Sequence, residues 1–267
     1  MTVFVSAWPL ILHMFLFAFL FFSFLWVLQV VRRDAGVVDI GWTVGVGVMA
    51  VYAAVAGDGW LPRRVLVAML GGAWAFRLAT YILVDRVLRP GEDGRYQYLR
   101  AHWGEKANSR FFFFFTMQSF LVILFGLPFL PIAADTRARL CATDVLGALV
   151  WVVAIAGESI ADRQLTLFRR DPANKGKTCR VGLWRTSRHP NYFFEWLHWW
   201  AYVVVAIGAP SWWLTLVGPI LMYVFLMRLT GIPYTEKRAL ASRGEDYRDY
   251  QQVTSKFFPM PPKKPGR

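Results

Sequence analysis

Trp8 to Val31 reads WPLILHMFLFAFLFFSFLWVLQVV, a run without formal charge whose polar members are His13, Ser23 and Gln29. A helix needs roughly 20 predominantly apolar residues to cross the hydrocarbon core of a bilayer. The run is therefore predicted to span a membrane. It is too long for the apolar part of a secretory signal and has neither a basic leader nor a small-residue cleavage site, so it is expected to persist as the first span. Working outward, comparable apolar stretches follow at about 36–56, 65–85, 111–133, 143–168, 191–208 and 211–230. Charge or turn chemistry separates them: Arg32-Arg33-Asp34, Gly57-Asp58-Gly59, the polar stretch from Arg86 to Arg110, Asp135 to Arg139, the basic segment from Arg169 to His189, and Gly208-Ala209-Pro210. The predicted fold is an all-α, polytopic membrane helix bundle of about seven transmembrane helices, forming a single domain over residues 1–267 with an earlier part at 1–133 and a later one at 143–259.

Composition agrees. A chain that is 56% apolar and 17% aromatic, with mean hydropathy +0.38, has too little polar surface to cover a water-soluble globule. Cys141 and Cys179 have no spacing that suits a disulfide framework or a metal site, and no metal is expected. The aromatic run Phe111 to Phe115 reads as the interfacial start of the fourth span. Residues 234–252 keep Tyr234, Leu240, Tyr247 and Tyr250 amid charges, which predicts a helix lying at the membrane surface or packing beneath the bundle.

The formal net charge is +13, and its placement orients the chain. Of the 30 lysines and arginines, 23 fall at Arg32-Arg33, in 86–110, in 169–190 and after 231; Arg63, Arg64, Arg137 and Arg139 occupy the alternate loops. Cytoplasmic loops carry the excess of basic residues, so the N-terminus is expected outside and the C-terminus in the cytoplasm, as in a bacterial inner membrane. The same basic loops attract anionic membrane lipids. Because they are short and juxtamembrane, a nucleic-acid partner is not expected.

Ionisable groups within spans are costly and mark a site by default. Asp39 opens the second span, Arg77 lies midway in the third, Glu158 and Asp162 lie in the fifth, Glu195 and His198 in the sixth, and Arg228 near the end of the seventh. Most fall in the half facing the cytoplasm, which predicts a pocket entered from that side. Glu158, Asp162 and Arg169, spaced by 4 and 7, share one helix face; Asn191, Glu195, His198 and Tyr202, spaced by 4, 3 and 4, share another. Mutual pairing between helices is the structural alternative. His13 and His102 carry no functional expectation.

Ser187-Arg188-His189-Pro190-Asn191-Tyr192 ends a basic loop and begins a helix, with Pro190 suited to the first turn. A helix start beside Arg185, Arg188 and His189 suits a phosphate-bearing ligand. The chain has neither a dinucleotide-binding glycine fingerprint nor a P-loop, so a nucleotide would bind in a membrane fold.

Ala161-Asp162-Arg163-Gln164 with Phe168-Arg169-Arg170-Asp171-Pro172, then Gly182-Leu183-Trp184-Arg185, the 187–192 segment and Glu195, resembles the C-terminal half of the steroid 5-alpha-reductase and sterol reductase superfamily. Glu236, Gly244, Tyr247, Tyr250 and Phe258-Pro259 look like that superfamily's closing pattern, and the likeness covers about residues 158–259. Asp39-Ile40-Gly41-Trp42, Arg77-Leu78-Ala79-x-Tyr81 and Glu92-Asp93-x-Arg95-Tyr96 look like an uncharacterised bacterial branch of it. The Arg188-His189-Pro190-x-Tyr192 motif alone is shared with membrane methyltransferases such as isoprenylcysteine carboxyl methyltransferase.

The resemblance implies NADPH as cofactor, contacted by Glu158, Asp162, Arg169, Arg188, His189, Asn191, Tyr192, Glu195 and Arg228, with Tyr247 and Tyr250 shaping its cytosolic end. Arg169, Arg170 or Lys175 would pair with its 2′-phosphate. The implied activity is hydride transfer to an activated C=C bond of a lipophilic small molecule resembling a steroid, sterol or lipid enone. Negative charge then develops on a carbonyl oxygen, and an acid or cation must be poised there. Asp39 beside apolar neighbours is the expected acid, with Arg77 and Tyr81 as electrostatic alternatives. The animal enzymes carry a Gln-Glu pair on the second span and a tyrosine three residues before an arginine on the third; here stand Val38-Asp39 and Trp74, so the substrate is open. An S-adenosylmethionine-dependent methyltransferase and a non-enzymatic lipid-binding or transport protein are the rival readings.

Overall fold

The computed structural model describes residues 2–88 and 91–263. Arg89 and Pro90 of the 86–110 loop, and Lys264 and Arg267 of the basic tail, lie outside the described residues. The described residues fold into helices joined by loops: α1 (Thr2–Arg32), α2 (Val37–Ala56), α3 (Leu61–Ile82), α4 (Gly94–Trp103), α5 (Ala107–Gly126), α6 (Leu130–Ala133), α7 (Ala142–Arg170), α8 (Pro190–Ala206), α9 (Val217–Val224), α10 (Ile232–Arg243) and α11 (Glu245–Val253). Wider π-helical turns prolong α3 over Leu83–Val87 and α9 over Phe225–Leu229. This is an all-α, polytopic integral membrane protein.

Among the described residues six helical stretches are long and apolar enough to cross a membrane: Ile11–Arg32, Val37–Ala56, Leu61–Asp85, Gly94–Ala133, Ala142–Arg170 and Trp212–Arg243. The stretch expected at 191–208 is the 17-residue α8. Pro190 sits in its first turn, and Ile207, Gly208 and Pro210 stop it early. At 1.5 Å per residue α8 is about 25 Å long, short of a core of about 30 Å.

The chain divides into two compact units, one running to Ala138 and taking in Ala209–Leu214, the other holding Arg139–Gly208 and the described residues from Thr215 on. In the first unit α2 packs on α3, and on α1 and α5. The α2–α3 approach depends on small residues: a Cβ on Gly47 would stand 2.4 Å from the Cβ of Ala75. Beyond this hairpin, Gly59 N–H donates to the Ala133 carbonyl at 3.0 Å and Trp60 N–H to that of Asp135 at 2.8 Å. Arg63 and Asp135 form a fully buried ion pair there, and Arg137 donates to the same carboxylate at 2.6 Å. Arg64 caps the last turn of α2 through the carbonyls of Ala54 (2.6 Å) and Val55 (2.9 Å). Arg63, Arg64 and Arg137, basic residues expected outside, are therefore tied into local structure. The run 111–115 is split by the helix period: Phe111 and Phe115 are buried one turn apart, whereas Phe113 is 71% exposed.

In the second unit α7 and α8 form the main pair, with α9 against α8 and α10 against α11. The expected helix over 234–252 is two helices, broken where Gly244 takes φ +55°. Their apolar faces close on each other through Ala239, Leu240, Tyr247 and Tyr250.

Candidate functional site

The second unit brings the sequence motifs together in pairs. Gln164 Oε1 accepts from Leu183 N–H at 2.9 Å, and Trp184 Nε1 donates to the Ala161 carbonyl at 2.9 Å, so the loop before α8 is moored to α7. That mooring aligns the polar faces of the two helices. Asn191 Nδ2 donates to Asp162 Oδ1 at 3.2 Å. Glu158 lies one turn from Asp162, and Glu195 one turn from Asn191; Glu158, Asp162 and Glu195 are all buried. Glu195 Oε1 accepts from Trp199 Nε1 at 3.2 Å, and farther along α8 His198 Nε2 lies 2.9 Å from the Tyr202 hydroxyl. Arg169, in the last turn of α7, and Arg228, in the π-helical turn after α9, are exposed.

Arg188, His189, Tyr247 and Tyr250 lie in a buried latch around Glu236. This carboxylate accepts from Arg188 Nε (2.7 Å), Gln251 Nε2 (3.0 Å) and the Tyr247 hydroxyl (3.4 Å), and His189 Nε2 lies 3.3 Å away. Arg188 Nη1 also donates to the carbonyls of Gln251 (3.0 Å) and Thr254 (2.9 Å). Tyr250 hydroxyl donates to the Trp184 carbonyl, and the Ser187 hydroxyl to that of Phe257 at 2.8 Å. Tyr192 stacks on His189 with ring centroids 5.5 Å apart, and its hydroxyl lies 3.4 Å from that of Thr235. The loop motif and the closing C-terminal motif are thus each other's partners. Burial pushes the phenols of Tyr247 and Tyr250 well up. Burial likewise holds the His189 imidazole below its usual range, against the pull of Glu236.

In the first unit Asp39 does not have the apolar surroundings expected of it. Arg95 Nη2 donates to Oδ2 at 2.6 Å and the Tyr96 hydroxyl to Oδ1 at 2.6 Å, so both oxygens act as acceptors. Asp93 holds Arg95 from the other side at 3.0 Å. Alongside, Arg100 grips Glu92 through two nitrogens at 2.8 and 3.0 Å, and Glu92 also accepts from Ala35 N–H at 2.8 Å. The physical reason is α4, which turns the Glu92-Asp93-x-Arg95-Tyr96 motif onto the start of α2. Arg77 lies over the ring of Tyr81, one turn on, at 5.6 Å. An apolar groove of about 570 Å³ runs along α2 and α3, lined by Val44, Val48, Tyr52, Phe76 and Thr80 among others; Asp39, Arg77 and Tyr81 are not in its lining.

Sequence reasoning gave no role to Glu236 or Arg243. Arg243 Cζ lies over the Tyr247 ring at 5.1 Å. The available signal was its position four residues before Tyr247, across Gly244. No group of three or more His, Cys, Asp or Glu among the described residues is arranged to hold a metal ion.

Residues 25–254 match the family described as protein of unknown function (DUF1295), and the chain belongs to that family. No curated protein and no solved structure matches the chain.

Proposed function

We propose, with membership of DUF1295 as the premise, that this membrane protein is an NADPH-dependent reductase of the steroid 5-alpha-reductase-like kind, acting on an activated C=C bond of a lipophilic substrate. The observation that carries the reading is the face shared by α7 and α8, where Asp162 accepts from Asn191 and the carboxylates of Glu158 and Glu195 are buried one turn away. A dinucleotide needs acceptors for its ribose hydroxyls and carboxamide, and cations for its phosphates. Carboxylates accept from the hydroxyls of a ribose, and an asparagine amide both donates and accepts. Glu158, Asp162, Asn191 and Glu195 supply that chemistry, and Arg169 and Arg228 supply exposed cations. In this reading Arg188, His189, Tyr247 and Tyr250 act as positioning residues, because the latch holds the start of α8.

NADPH, when bound, supplies the hydride. On the substrate side the chain must stabilise negative charge on a carbonyl oxygen. Arg77 with Tyr81 would do so electrostatically, while Asp39 would orient Arg95 and Tyr96 as an acceptor. The groove along α2 and α3 has the volume of a small-molecule site and an apolar wall.

The test is calorimetry on the detergent-purified protein with NADPH and with S-adenosylmethionine in parallel. Saturable NADPH binding without S-adenosylmethionine binding is the expected result. Binding of S-adenosylmethionine alone would replace the reductase with a methyltransferase.

A further inference from the structure

We propose that the groove along α2 and α3 takes a single unbranched hydrocarbon chain of about 18 carbons, so that the substrate is a linear chain with its conjugated carbonyl at one end and not a fused-ring steroid. The inference rests on the reading of this groove as the substrate site. Ile40, Val44, Gly47, Val51 and Val55 line it from α2, one at each turn, and α3 lines it at the same rhythm from Gly72 to Leu83. The two helices run antiparallel: a Cβ on Gly72 would find Val51 Cγ2 at 3.9 Å, and one on Gly47 would meet the Cβ of Ala75. That register sets Leu83 at the Ile40 end and leaves Val55 at the other. The volume is therefore spread along the whole of α2 and not pooled at one turn.

The dimensions select the chain. At 1.5 Å per residue the groove runs about 22 Å from Ile40 to Val55. A volume of about 570 Å³ over that length leaves a mean section of about 26 Å², or about 5 Å on a side. Non-bonded carbons rest about 3.5–4 Å apart, so the groove holds one chain abreast, and a fused-ring plate is broader than that. Single bonds of about 1.5 Å at tetrahedral angles advance an extended chain about 1.25 Å per carbon, which places about 18 carbons in 22 Å.

Polarity agrees. Among the described residues the lining holds no Asp, Glu, Lys, Arg or His, and the Thr80 hydroxyl already donates to the Phe76 carbonyl at 2.7 Å. A substrate oxygen partway between Ile40 and Val51 would lie against apolar walls, a cost that a hydrocarbon shaft avoids. The polar end of the substrate belongs at Ile40, next to Asp39, whose carboxylate accepts from Arg95 and Tyr96 at 2.6 Å each. Surrounding lipid tails are as apolar as these walls, so entry brings little hydrophobic gain and selection rests on width and length.

The experiment uses the full chain in nanodiscs and follows NADPH oxidation with linear enones of about 8 to about 20 carbons and with a steroid enone. Gly72→Leu sets a side chain across the groove opposite Val51, about 16 Å from Ile40 and therefore about 13 carbons along. Its Cβ has room, and leucine is a better helix former than glycine, so the variant is expected to fold; a circular-dichroism melt checks it. Val65→Leu, on an exposed face of α3 outside the lining, is the control. Wild type and Gly72→Leu should reduce chains of up to about 13 carbons equally, and at about 18 carbons the variant should fall about tenfold or more below wild type and control. Partitioning of substrate into the bilayer cancels in that ratio. A steroid reduced as well as the longest chains, or a variant slowed equally at every length, overturns the proposal. A wild type that neither binds nor oxidises NADPH overturns the reductase reading alone, and native mass spectrometry then decides the groove. Retention of a saturated ketone of about 18 carbons by wild type and Val65→Leu, with its loss from Gly72→Leu, supports the chain site; equal retention in all three overturns it.

Discussion

In the first unit Arg63 and Arg137 share Asp135, Arg95 holds Asp39 and Arg100 grips Glu92 with two nitrogens, whereas in the second unit Asp162 and Glu195 accept from the neutral donors Asn191 and Trp199. The difference concerns what each carboxylate can still do. A carboxylate bound by a guanidinium fork has its strongest acceptor directions filled and serves as a clamp between chain segments. An amide or indole N–H donates without neutralising the carboxylate's charge, and in a low-dielectric interior that charge attracts a donor more strongly than in water. Intramembrane charge alone therefore does not separate a strut from a site; the chemistry of the donor does.

The sharpest way to break this contrast is to remove the most deeply buried clamp. Arg63→Ala leaves Asp135 with Arg137 alone and opens a fully buried position, so a loss near the lower end of about 3–5 kcal/mol is expected in denaturant unfolding in detergent. Ligand affinity of the folded fraction should not change. A loss below about 1 kcal/mol would mean that the pair is not desolvated and that the first unit is no more rigidly clamped than the second.

A smaller effect tests the contrast from both sides at once. Asn191→Ala should weaken NADPH binding about fivefold to tenfold with little change in melting temperature, since it removes one hydrogen bond of about 1 kcal/mol on the face offered to the cofactor. Asp39→Asn should leave NADPH affinity intact and lower turnover, toward the bottom of the 10² to 10⁴ range of a general acid, because its carboxylate orients Arg95 and Tyr96 rather than donating a proton. The two variants exchanging phenotypes would reassign the cofactor to the first unit.

The spans and their polar breaks were legible because both follow from runs of residue type, and helix spacing correctly placed Glu158 with Asp162 and Asn191 with Glu195. Spacing names a face and leaves the partner unnamed. Asp39 meets Arg95, 56 residues on, and Arg188 meets Glu236, 48 residues on, because loops and the break at Gly244 set those encounters. The same gap explains why the contacts of Arg188, His189 and Tyr247 with Glu236 could not be read from the sequence. The span count was the other weak point. An apolar run at 191–208 satisfies a composition window, yet proline at one end and Gly208 near the other cut α8 to 17 residues. Whether α8 crosses decides whether the number of crossings is odd, and with it the relation between the two termini.

The smallest effect expected is a pH dependence confined to the latch of the second unit. His189 faces Glu236, Arg188 and Lys256, and burial, its largest influence, holds its imidazole below the ordinary value of 6.5. The folded state therefore favours the neutral ring more than the unfolded state does. Stability from this residue is fully present above pH 6.5 and declines as pH falls toward the lower folded value, because the unfolded chain takes up the proton first. Asp246 acts in a lower window. Burial opposes its ionisation, but hydrogen bonds from Thr178 and the nearby Arg180 prevail and hold it below 3.8, so its contribution is lost only as pH falls below that value. Thermal melts between pH 8 and pH 3 should fall with acid in the wild type, with the slope between pH 8 and pH 5 set by His189. In His189→Gln, which keeps a neutral polar group in the latch, that slope should flatten while the loss below pH 4 persists. A slope unchanged in His189→Gln would place the acid sensitivity outside the latch, and a melting temperature rising toward pH 5 would mean that Glu236 outweighs burial and His189 is charged in the folded protein.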